Sequence, residues 1–480
     1  KLFFERIEGA PFANESEKSR LKGEVHFLRA YLYHNLVSMY GGVPIITKTF
    51  TLNDEFEVPR DSYEDVIKFI VSDLDAAAQL LPETMTGNNK GRATKGAALA
   101  LKSRVLLHAA SDLYNSNGSW AGGFADKALI GYTGGDRMAR WQAAKDAAKA
   151  VMDLNLYSLY MPNPSSAAEA TKNYANIFLS HETSEDIFVK YFTAKTDEGW
   201  DGYNPGLYNN PNGWNGWGSN TPVGQHVDAY EMLNGSKFDW NNPTHKAAPY
   251  QNRDPRFYAS INYDGAVWRP RNDPAAISRD PIGIVQTGYY ERPDGTLIPG
   301  LDTRNSPLQD WNGTHTGYFM RKFIDPTIEA QFDRQEQPWR YIRYSEVVLN
   351  YVEACLGLGQ EAEAKQYLNM IRKRAFMPDI TESGQALIDR YRNERRIELA
   401  FEDHRYFDVR RWMIAPQAYQ DAKGVSIRYK VDASGNNIIS GPTYTVINAQ
   451  SRAWDPRFYL FPINRDEMNR NKNLKQNPLY

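Results

Sequence analysis

The sequence predicts a mainly α-helical protein in which paired helices carry a long irregular region and a few short strands. Apolar residues recur every three or four positions early in the chain and again over residues 339–412, as amphipathic helices require. The stretches between and after them are rich in Gly, Pro, Asn, Asp and aromatic residues, with brief strand-like runs such as 186–192. Since 480 residues exceed one simple core, we expect two lobes or an elaborated scaffold.

The first predicted helix covers residues 15–40 and ends at Gly41 and Gly42, with Pro44 confirming the break. Its apolar positions follow helical spacing: Leu21, Val25, Leu28, Leu32, Leu36 and Met39. This spacing predicts one long amphipathic helix near the start of the chain.

Three further helices are predicted before residue 155. Asp61 or Ser62 caps the second helix, which ends at Pro82, and Thr94 opens the third. The fourth is marked by four apolar positions in register: Trp141, Ala144, Ala148 and Val151. Helices of this kind need partners to bury their apolar sides, so we expect them to pack together.

Helical spacing returns over residues 339–358, and after Gly359 it continues over 361–376. Two helices joined by a short turn, with Ala at close-packing positions, resemble a tetratricopeptide hairpin. A last helix is predicted at about 385–401. Insertions blur the repeat, so the pattern indicates helix pairs without a strict period.

The predicted organisation has four parts within one folding unit. Residues 1–154 form an N-terminal helical part, and 155–338 form an irregular, aromatic-rich region that carries the ligand. Residues 339–412 form the C-terminal helices, and 413–480 close the fold as a loop and tail. Long loops so rich in aromatic residues are more typical of function than of disorder.

Composition excludes several functional classes. The net charge of −2 provides no bulk attraction for nucleic acid or anionic lipid. The single cysteine, Cys355, cannot form an internal disulfide, and its apolar helical setting favours a core role over a nucleophile. No run of 18 apolar residues exists, so no membrane-spanning helix is predicted. The chain begins at Lys1 without a signal peptide, and we expect that a targeting segment has been removed.

No common catalytic motif is present, including HExxH, GxSxG, the P-loop and paired CxxC. The most polar cluster lies at 401–412, and its possible metal ligands or acid–base groups are Glu402, Asp403, His404 and Asp408. Five arginines accompany them: Arg395, Arg396, Arg405, Arg410 and Arg411. So many arginines favour a neutralised charge network over a cation site.

Two further chemistries stay open. A glycoside hydrolase would need two carboxylates across a cleft, roughly 5–10 Å apart. The acidic residues near the aromatic stretch are the candidates: Asp201, Asp228, Glu231 and Asp239. The EF-hand pattern is absent, but a structural calcium held by carbonyls and scattered Asp residues would leave no motif. No cofactor is required by this interpretation.

Residues 200–218 combine aromatic rings, asparagines and glycines in a way that suits carbohydrate. An indole or phenol ring packs on the C–H face of a sugar, while amide groups reach its hydroxyls. The candidate platforms are Trp200, Tyr203, Tyr208, Trp214 and Trp217. The candidate hydroxyl partners are Asn204, Asn209, Asn212 and Asn215, and later aromatic residues of the same region are Trp240, Trp268, Tyr289, Tyr290 and Trp311.

The alternative is that these rings anchor a long loop to the scaffold, which is the favoured role for any single Trp. Their density still predicts at least one ring exposed for ligand. Base stacking would use the same rings but needs a basic groove. Residues 197–236 contain no Lys or Arg, so sugar is favoured over nucleic acid.

Three segments closely resemble the SusD/RagB family: GEVHFLRAYLYHNLVSMYGGVPIIT at 23–47, YRNERRIELAFEDHRYFDVRRW at 391–412, and FYLFPINRDEMNRNKNLKQNPLY at 458–480. The RYSEVVLNYVEACLGLG segment at 343–359 is also typical of it. Together with the helix over 94–114, the resemblance extends along nearly the whole chain.

The resemblance implies tetratricopeptide-like helix pairs with the ligand face on long loops, and it implies no enzymatic activity. Members are surface lipoproteins of glycan-harvesting Bacteroidota. They cover a TonB-dependent outer-membrane transporter of the SusC type and deliver oligosaccharide to it, although a few bind peptides instead. The resemblance therefore predicts an outer-membrane location through an N-terminal lipid anchor that this chain lacks. The matching motifs belong to the framework, so the binding residues stay those proposed from the loop aromatics.

Overall fold

The computed structural model describes residues 1–193, 204–331 and 333–480. The helices of the N-terminal half are α1 (Leu2–Arg6), α2 (Glu15–Tyr40), α3 (Tyr63–Leu80), α4 (Lys95–Ala110), α5 (Asp112–Asn115), α6 (Arg137–Met152), α7 (Ala167–Leu179), α8 (Pro205–Asn209) and α9 (Gly224–Val227). Those that follow are α10 (Pro243–Ala247), α11 (Pro255–Ser260), α12 (Pro274–Arg279), α13 (Tyr344–Gly357), α14 (Glu361–Arg374), α15 (Gly384–Glu398), α16 (His404–Arg411), α17 (Ala415–Ala418) and α18 (Arg465–Arg470). The strands are β1 (Asp186–Lys190), β2 (Ile261–Asn262), β3 (Tyr289–Glu291), β4 (Leu297–Pro299), β5 (Phe319–Met320), β6 (Trp339–Arg343), β7 (Ala422–Val431) and β8 (Ile438–Gln450).

The long helices form one stack in which each packs against the next. The successive packed pairs are α2–α3, α3–α4, α4–α6, α6–α13 and α13–α14. The irregular region between α6 and α13 therefore projects from a helical frame that continues without a break in packing. The prediction of a mainly α fold with tetratricopeptide-like helix pairs is confirmed.

Helix α2 has the predicted bounds but buries a different side. Gly41 ends it at a φ of 76°, a conformation that favours glycine. Its buried apolar residues are Phe27, Ala30, Tyr33 and Val37. Three of the four leucines that marked the predicted apolar side are exposed to solvent: Leu28 (50%), Leu32 (60%) and Leu36 (42%). Helical spacing therefore predicted the element correctly without identifying the face that packs.

The predicted caps are present at the next two helices of the frame. The Ser62 side chain accepts a hydrogen bond from the Asp65 amide, and Thr94 accepts one from the Ala97 amide, at 3.1 Å each. Cys355 is fully buried in α13, and burial raises the pKa of its thiol to about 11. Its expected role as a core residue is confirmed.

Residues 339–343, predicted as the start of a helix, instead form β6 and pair antiparallel with β1. Arg340 and Ile342 point into the interior, while the alternate residues Trp339 and Tyr341 are only partly buried. This period of two, completed by a strand far away in the sequence, overrides the local helical preference.

The C-terminal region, predicted as loop and tail, contains a long hairpin of β7 and β8. These strands complete a sheet in the order β4–β3–β7–β8, in which β3 and β7 are parallel. Val425 and Ile427 of β7 enter a second core with Tyr230, Phe257 and Tyr318. Strand β8 is largely exposed, so it lacks the alternating apolar pattern that would have predicted it.

Candidate functional site

Trp214 is buried, with 1% of its surface exposed, and its indole nitrogen donates to the carbonyl of Arg269 at 3.2 Å. The guanidinium of Arg271 lies 3.4 Å from the ring centroid. Both carboxylate oxygens of Asp302 hold Arg271 at 2.9 Å, and Asp280 holds it at 2.8 Å. A ring enclosed by this ion-paired arginine anchors the loop and offers no face to a ligand.

Trp268 and Asn212 are also interior residues. Trp268 is 6% exposed and shares an apolar cluster with Trp214, Ala266 and Val285. Asn212 is fully buried, and its amide donates to the carbonyl of Thr303 at 2.9 Å. The expectation that Trp214, Trp268 and Asn212 contact a sugar is corrected by this burial, because a long loop with little other apolar surface packs through its largest rings.

Trp311 is the clearest open ring of the described region, with 67% of its surface exposed. Its segment meets the one that carries Trp217, because a Cβ placed on Gly218 would lie only 2.6 Å from the carbonyl oxygen of Asn312. Trp217 is partly buried, and its ring makes an edge-to-face contact with Tyr208 at 5.3 Å. The structure therefore brings together the two segments that carry Tyr208, Trp217 and Trp311.

A polar pair joins β3 to the loop that precedes Trp311. The Tyr289 hydroxyl donates to the Asn305 side chain at 2.8 Å. Arg304 Nη1 lies 2.7 Å from His315 Nε2, and both side chains are exposed. Sequence reasoning missed Asn305, Arg304 and His315, because nothing in their local sequence distinguishes them from other loop residues. We call Tyr208, Trp217, Tyr289, Asn305 and Trp311 the aromatic face.

The remaining predicted residues are dispersed. Trp200 and Tyr203 lie outside the described residues. Asn204 caps α8 by accepting from the Leu207 amide at 3.0 Å, and Asn209 is buried. Asn215 is partly buried in a left-handed turn at a φ of 58°. Tyr290 stacks on Tyr429 at 5.1 Å, and Trp240 donates to Asp228 at 3.1 Å.

Behind the loops lies a set of buried ion pairs that we call the arginine–carboxylate core. It is formed by Arg256, Arg343, Arg372, Arg374, Glu185, Glu394, Glu398 and Glu402. Arg343 contacts Glu185 at 2.9 Å and both Glu398 and Glu402 at 2.7 Å. The arginines hold the pKa of Glu398 well below its usual range against the opposing effect of burial.

The charge network predicted at 401–412 is present in part. Glu402 belongs to the arginine–carboxylate core, and Asp408 pairs with Arg395 at 2.9 Å and Arg411 at 2.7 Å. The prediction is wrong for a second group, which forms no salt bridge within the described residues: Arg396, Arg405 and Arg410. Neighbouring residues on a helix lie about 100° apart, so Arg395 and Arg396, like Arg411 and Arg410, face different surroundings.

Across the described ranges, no group of three or more His, Cys, Asp or Glu side chains is arranged to hold a metal ion. A calcium bound mainly by carbonyls stays a prediction. Over the same ranges, no helix combines the length and apolar character needed to cross a bilayer.

Comparison with known proteins gives consistent matches. A family model described as the SusD family matches residues 184–480, and one described as "Starch-binding associating with outer membrane" matches residues 2–107. The chain is 24% identical over 447 residues to SusD-like protein P25 of Formosa agariphila. The alignment covers 88% of this chain and 69% of that protein.

Two crystal structures from Bacteroides fragilis are similar along the chain. A SusD-like protein superposes with a TM-score of 0.75 at 31% identity, covering 100% of this chain and 83% of that one. A SusD-like carbohydrate binding protein has a TM-score of 0.69 at 25% identity, covering 96% and 81%. The similarity therefore includes the loops as well as the helical frame.

Proposed function

The chain belongs to the SusD family, and we propose that it binds oligosaccharide or polysaccharide without catalysis and delivers it to a SusC-like TonB-dependent transporter. The matching descriptions name starch binding, association with the outer membrane, and a carbohydrate binding relative, which support this proposal. In this proposal an N-terminal lipid anchor outside this sequence holds the protein at the cell surface.

The observation that carries the proposal is the open ring of Trp311 on the aromatic face. When a sugar ring covers an exposed indole, apolar surface leaves water and the two rings gain dispersion contacts, so binding is favoured. Asn305 and Tyr289 add groups that both donate and accept hydrogen bonds, as sugar hydroxyls require. The buried Trp214 anchors the neighbouring segment, which abuts the Trp311 segment at Gly218 and Asn312, so the open ring stands beside an anchored segment.

This arrangement suits weak and reversible binding. The described part of the face is a surface with one open ring, and stacking on one ring contributes about 1–3 kcal/mol by analogy with base stacking. A carrier that must release its ligand to a transporter benefits from such fast dissociation.

The proposal is tested by electrophoresis in native gels that contain single polysaccharides, with peptide mixtures as the alternative ligand. We expect at least one polysaccharide to retard the protein and peptides to leave its mobility unchanged. Retardation by peptides alone would show that the chain is a peptide-binding member of the family.

A hydrolase is the second candidate, because Asp228 and Glu231 line the same cavity of about 540 Å³. Burial raises the pKa of Asp228 to about 6, which would suit a general acid. Glu231, however, forms salt bridges with Arg372 at 3.0 Å and with Arg390 at 2.6 Å. The two arginines hold this carboxylate in place, which disfavours it as the second catalytic group.

Product analysis separates the hydrolase from the binder. We expect no release of reducing ends when the protein is incubated with the polysaccharides that retard it. Release that disappears in Asp228→Asn would establish a hydrolase and overturn the non-catalytic assignment. The structural neighbour of that carboxylate, Trp240, would keep a hydrogen-bond acceptor in the variant.

A further inference from the structure

A cavity of about 820 Å³ lies between α9, the end of α15, and helices α16 and α17. Its charged and ionisable lining consists of Arg396, Arg405, Arg410, Arg452, His226 and Asp403. Four arginines therefore face one carboxylate, in a chain whose total charge is close to zero. We call this space the arginine cavity.

In the described ranges the four arginines have no direct carboxylate partner, although Asp228 and Asp408 attract Arg396 and Arg405 from a greater distance. None of them forms a salt bridge within the described ranges, and the hydrogen bonds of their guanidinium groups go to uncharged oxygens. Arg396 donates to the carbonyl of Gln225 at 2.7 Å, Arg410 to that of Phe458 at 2.9 Å, and Arg452 to the Gln450 side chain at 3.1 Å. This pattern is the reverse of the arginine–carboxylate core, where each arginine touches at least two carboxylates.

Two buried nitrogen atoms in the lining lack a hydrogen-bond partner in the part of the chain that the structure describes. They are Nε of Arg396 and Nε2 of His226. An unsatisfied buried donor costs about 1–3 kcal/mol, and native proteins contain few such groups. Both residues line the cavity, so a hydrogen-bond acceptor bound there would supply a partner to these atoms.

The positive charge of the lining would be compensated by a bound anion. Burial, together with the charge of Arg405, lowers the pKa of Arg396 to about 9. Burial and the same two arginines lower the pKa of His226 well below its usual value. An oxyanion placed beside Arg396 and Arg405 would offset their mutual repulsion and accept from the unpaired nitrogens.

The rest of the lining matches an organic ligand better than a bare ion. Tyr406 and Tyr419 are 39% and 40% exposed. The Arg410 guanidinium lies 3.5 Å from the Tyr406 ring centroid, and that of Arg452 lies 5.5 Å from Tyr419. These contacts hold two guanidinium groups against partly exposed phenol rings, and the exposed parts of the rings add an organic surface beside the cations.

We infer that the arginine cavity binds the carboxylate or sulfate group of an acidic sugar, with Arg396 and Arg405 as the principal anion partners. The site is separate from the aromatic face, because its lining shares no residue with that face. Asp403 lies on a wall shared with one neighbouring cavity and would repel the anion. Arg396 and Arg405, which carry the opposite charge, lie on a wall shared with the cavity that Asp228 and Glu231 also line.

Isothermal titration calorimetry at low salt tests this site with D-glucuronate, D-glucose 6-sulfate, D-glucose and inorganic sulfate. We expect binding of at least one acidic sugar, a weaker signal at high salt, and no binding of glucose. A preference for glucuronate or for glucose 6-sulfate would identify the anionic group as carboxylate or sulfate.

The variants Arg405→Met and Arg452→Met should weaken acidic sugar binding at least tenfold and threefold, respectively. Neither should lower the melting temperature, since each removes a cation without a carboxylate partner. Arg279→Met, at an exposed site on α12, is the matched control and should bind like the parent. Trp311→Ala should also bind acidic monosaccharides like the parent, so failure of this site is distinguishable from failure of the aromatic face.

Three results would overturn the inference. The first is binding of neither acidic sugar to the folded parent protein. The second is unchanged affinity in both arginine variants. The third is inorganic sulfate that binds as tightly as the sugars, which would indicate an adventitious ion only.

Discussion

In the interior, Arg343 reaches three glutamates within 2.9 Å, whereas on the aromatic face Trp311 leaves 67% of its surface in solvent. The arginine–carboxylate core uses charge as a structural element, buried from water, and each of its arginines contacts at least two carboxylates. The aromatic face uses apolar rings at the surface, where they are costly for folding but available to a ligand. Residue type alone therefore does not reveal role: here charged residues build the interior and aromatic residues meet solvent.

Some residues have the local sequence of one region and the structural role of the other. Trp214 belongs by sequence to the aromatic stretch, yet it is enclosed by Arg271, which Asp280 and Asp302 hold in place. Arg396 and Arg405 belong by sequence to the charged motif, yet they face the arginine cavity without a carboxylate partner in the described ranges. Exposure and pairing, rather than local sequence, separate anchoring groups from those available for binding.

The largest expected effect comes from breaking the arginine–carboxylate core. Arg343→Met should lower the free energy of unfolding by about 3–5 kcal/mol, because it removes one cation from three buried glutamates and leaves the core with excess negative charge. Urea unfolding followed by tryptophan fluorescence measures the loss. Arg279→Met, on the surface, should change stability by no more than about 0.5 kcal/mol. A loss below about 1 kcal/mol for Arg343→Met would show that the core is not essential to the fold.

The next effect concerns Trp214, which the sequence predicted at the ligand surface and which is buried in the structure. Trp214→Ala should lower the free energy of unfolding by about 3 kcal/mol, because it opens a cavity beside Arg271. Trp214→Phe keeps a ring against the guanidinium and should lose less. Urea unfolding of both variants checks this order. If Trp214→Ala unfolds like the parent protein, the ring is not an anchor.

An unpaired carboxylate provides a smaller, pH-dependent effect. Burial raises the pKa of Asp228 to about 6, in contrast to the lowered pKa of Glu398 in the arginine–carboxylate core. The folded protein thus holds a proton at Asp228 that the unfolded chain releases near pH 4, so the contribution of this group to stability falls as pH rises from about 4 to 6.

Asp228→Asn removes this titration and keeps an acceptor for Trp240. We expect the variant to be more stable than the parent above pH 6 by on the order of 2 kcal/mol, with the difference vanishing near pH 4. Unfolding free energies measured at pH 4, 5, 6 and 7 give the comparison. Parallel pH profiles for the two proteins would contradict the raised pKa.

Features of the fold that depend on local sequence were predictable. The bounds of α2 follow from its spacing and from Gly41, and the caps at Ser62 and Thr94 follow from side-chain chemistry. Features that depend on distant partners were not. Residues 339–343 became a strand because β1 pairs with them, and the open strand β8 has no apolar alternation to reveal it.

The candidate site shows the same limit more strongly. Ring density predicted the region, but Trp214 and Trp311 have similar local surroundings in sequence and opposite exposure in the structure. The difference arises from contacts with Arg271 and Arg269, which lie far from Trp214 along the chain. The salt bridge of Arg395, and the lack of one at Arg396 in the described ranges, likewise depend on which side of α15 each residue occupies.

The most direct test of glycan binding by the aromatic face is the affinity of Trp311→Ala for a polysaccharide that retards the parent protein. Loss of the open ring should weaken binding by about 1–3 kcal/mol while leaving the melting temperature unchanged. Phe56→Ala, which removes another exposed ring (54%) near the N-terminal helices, should bind like the parent. Equal affinity of Trp311→Ala and the parent protein would contradict the account.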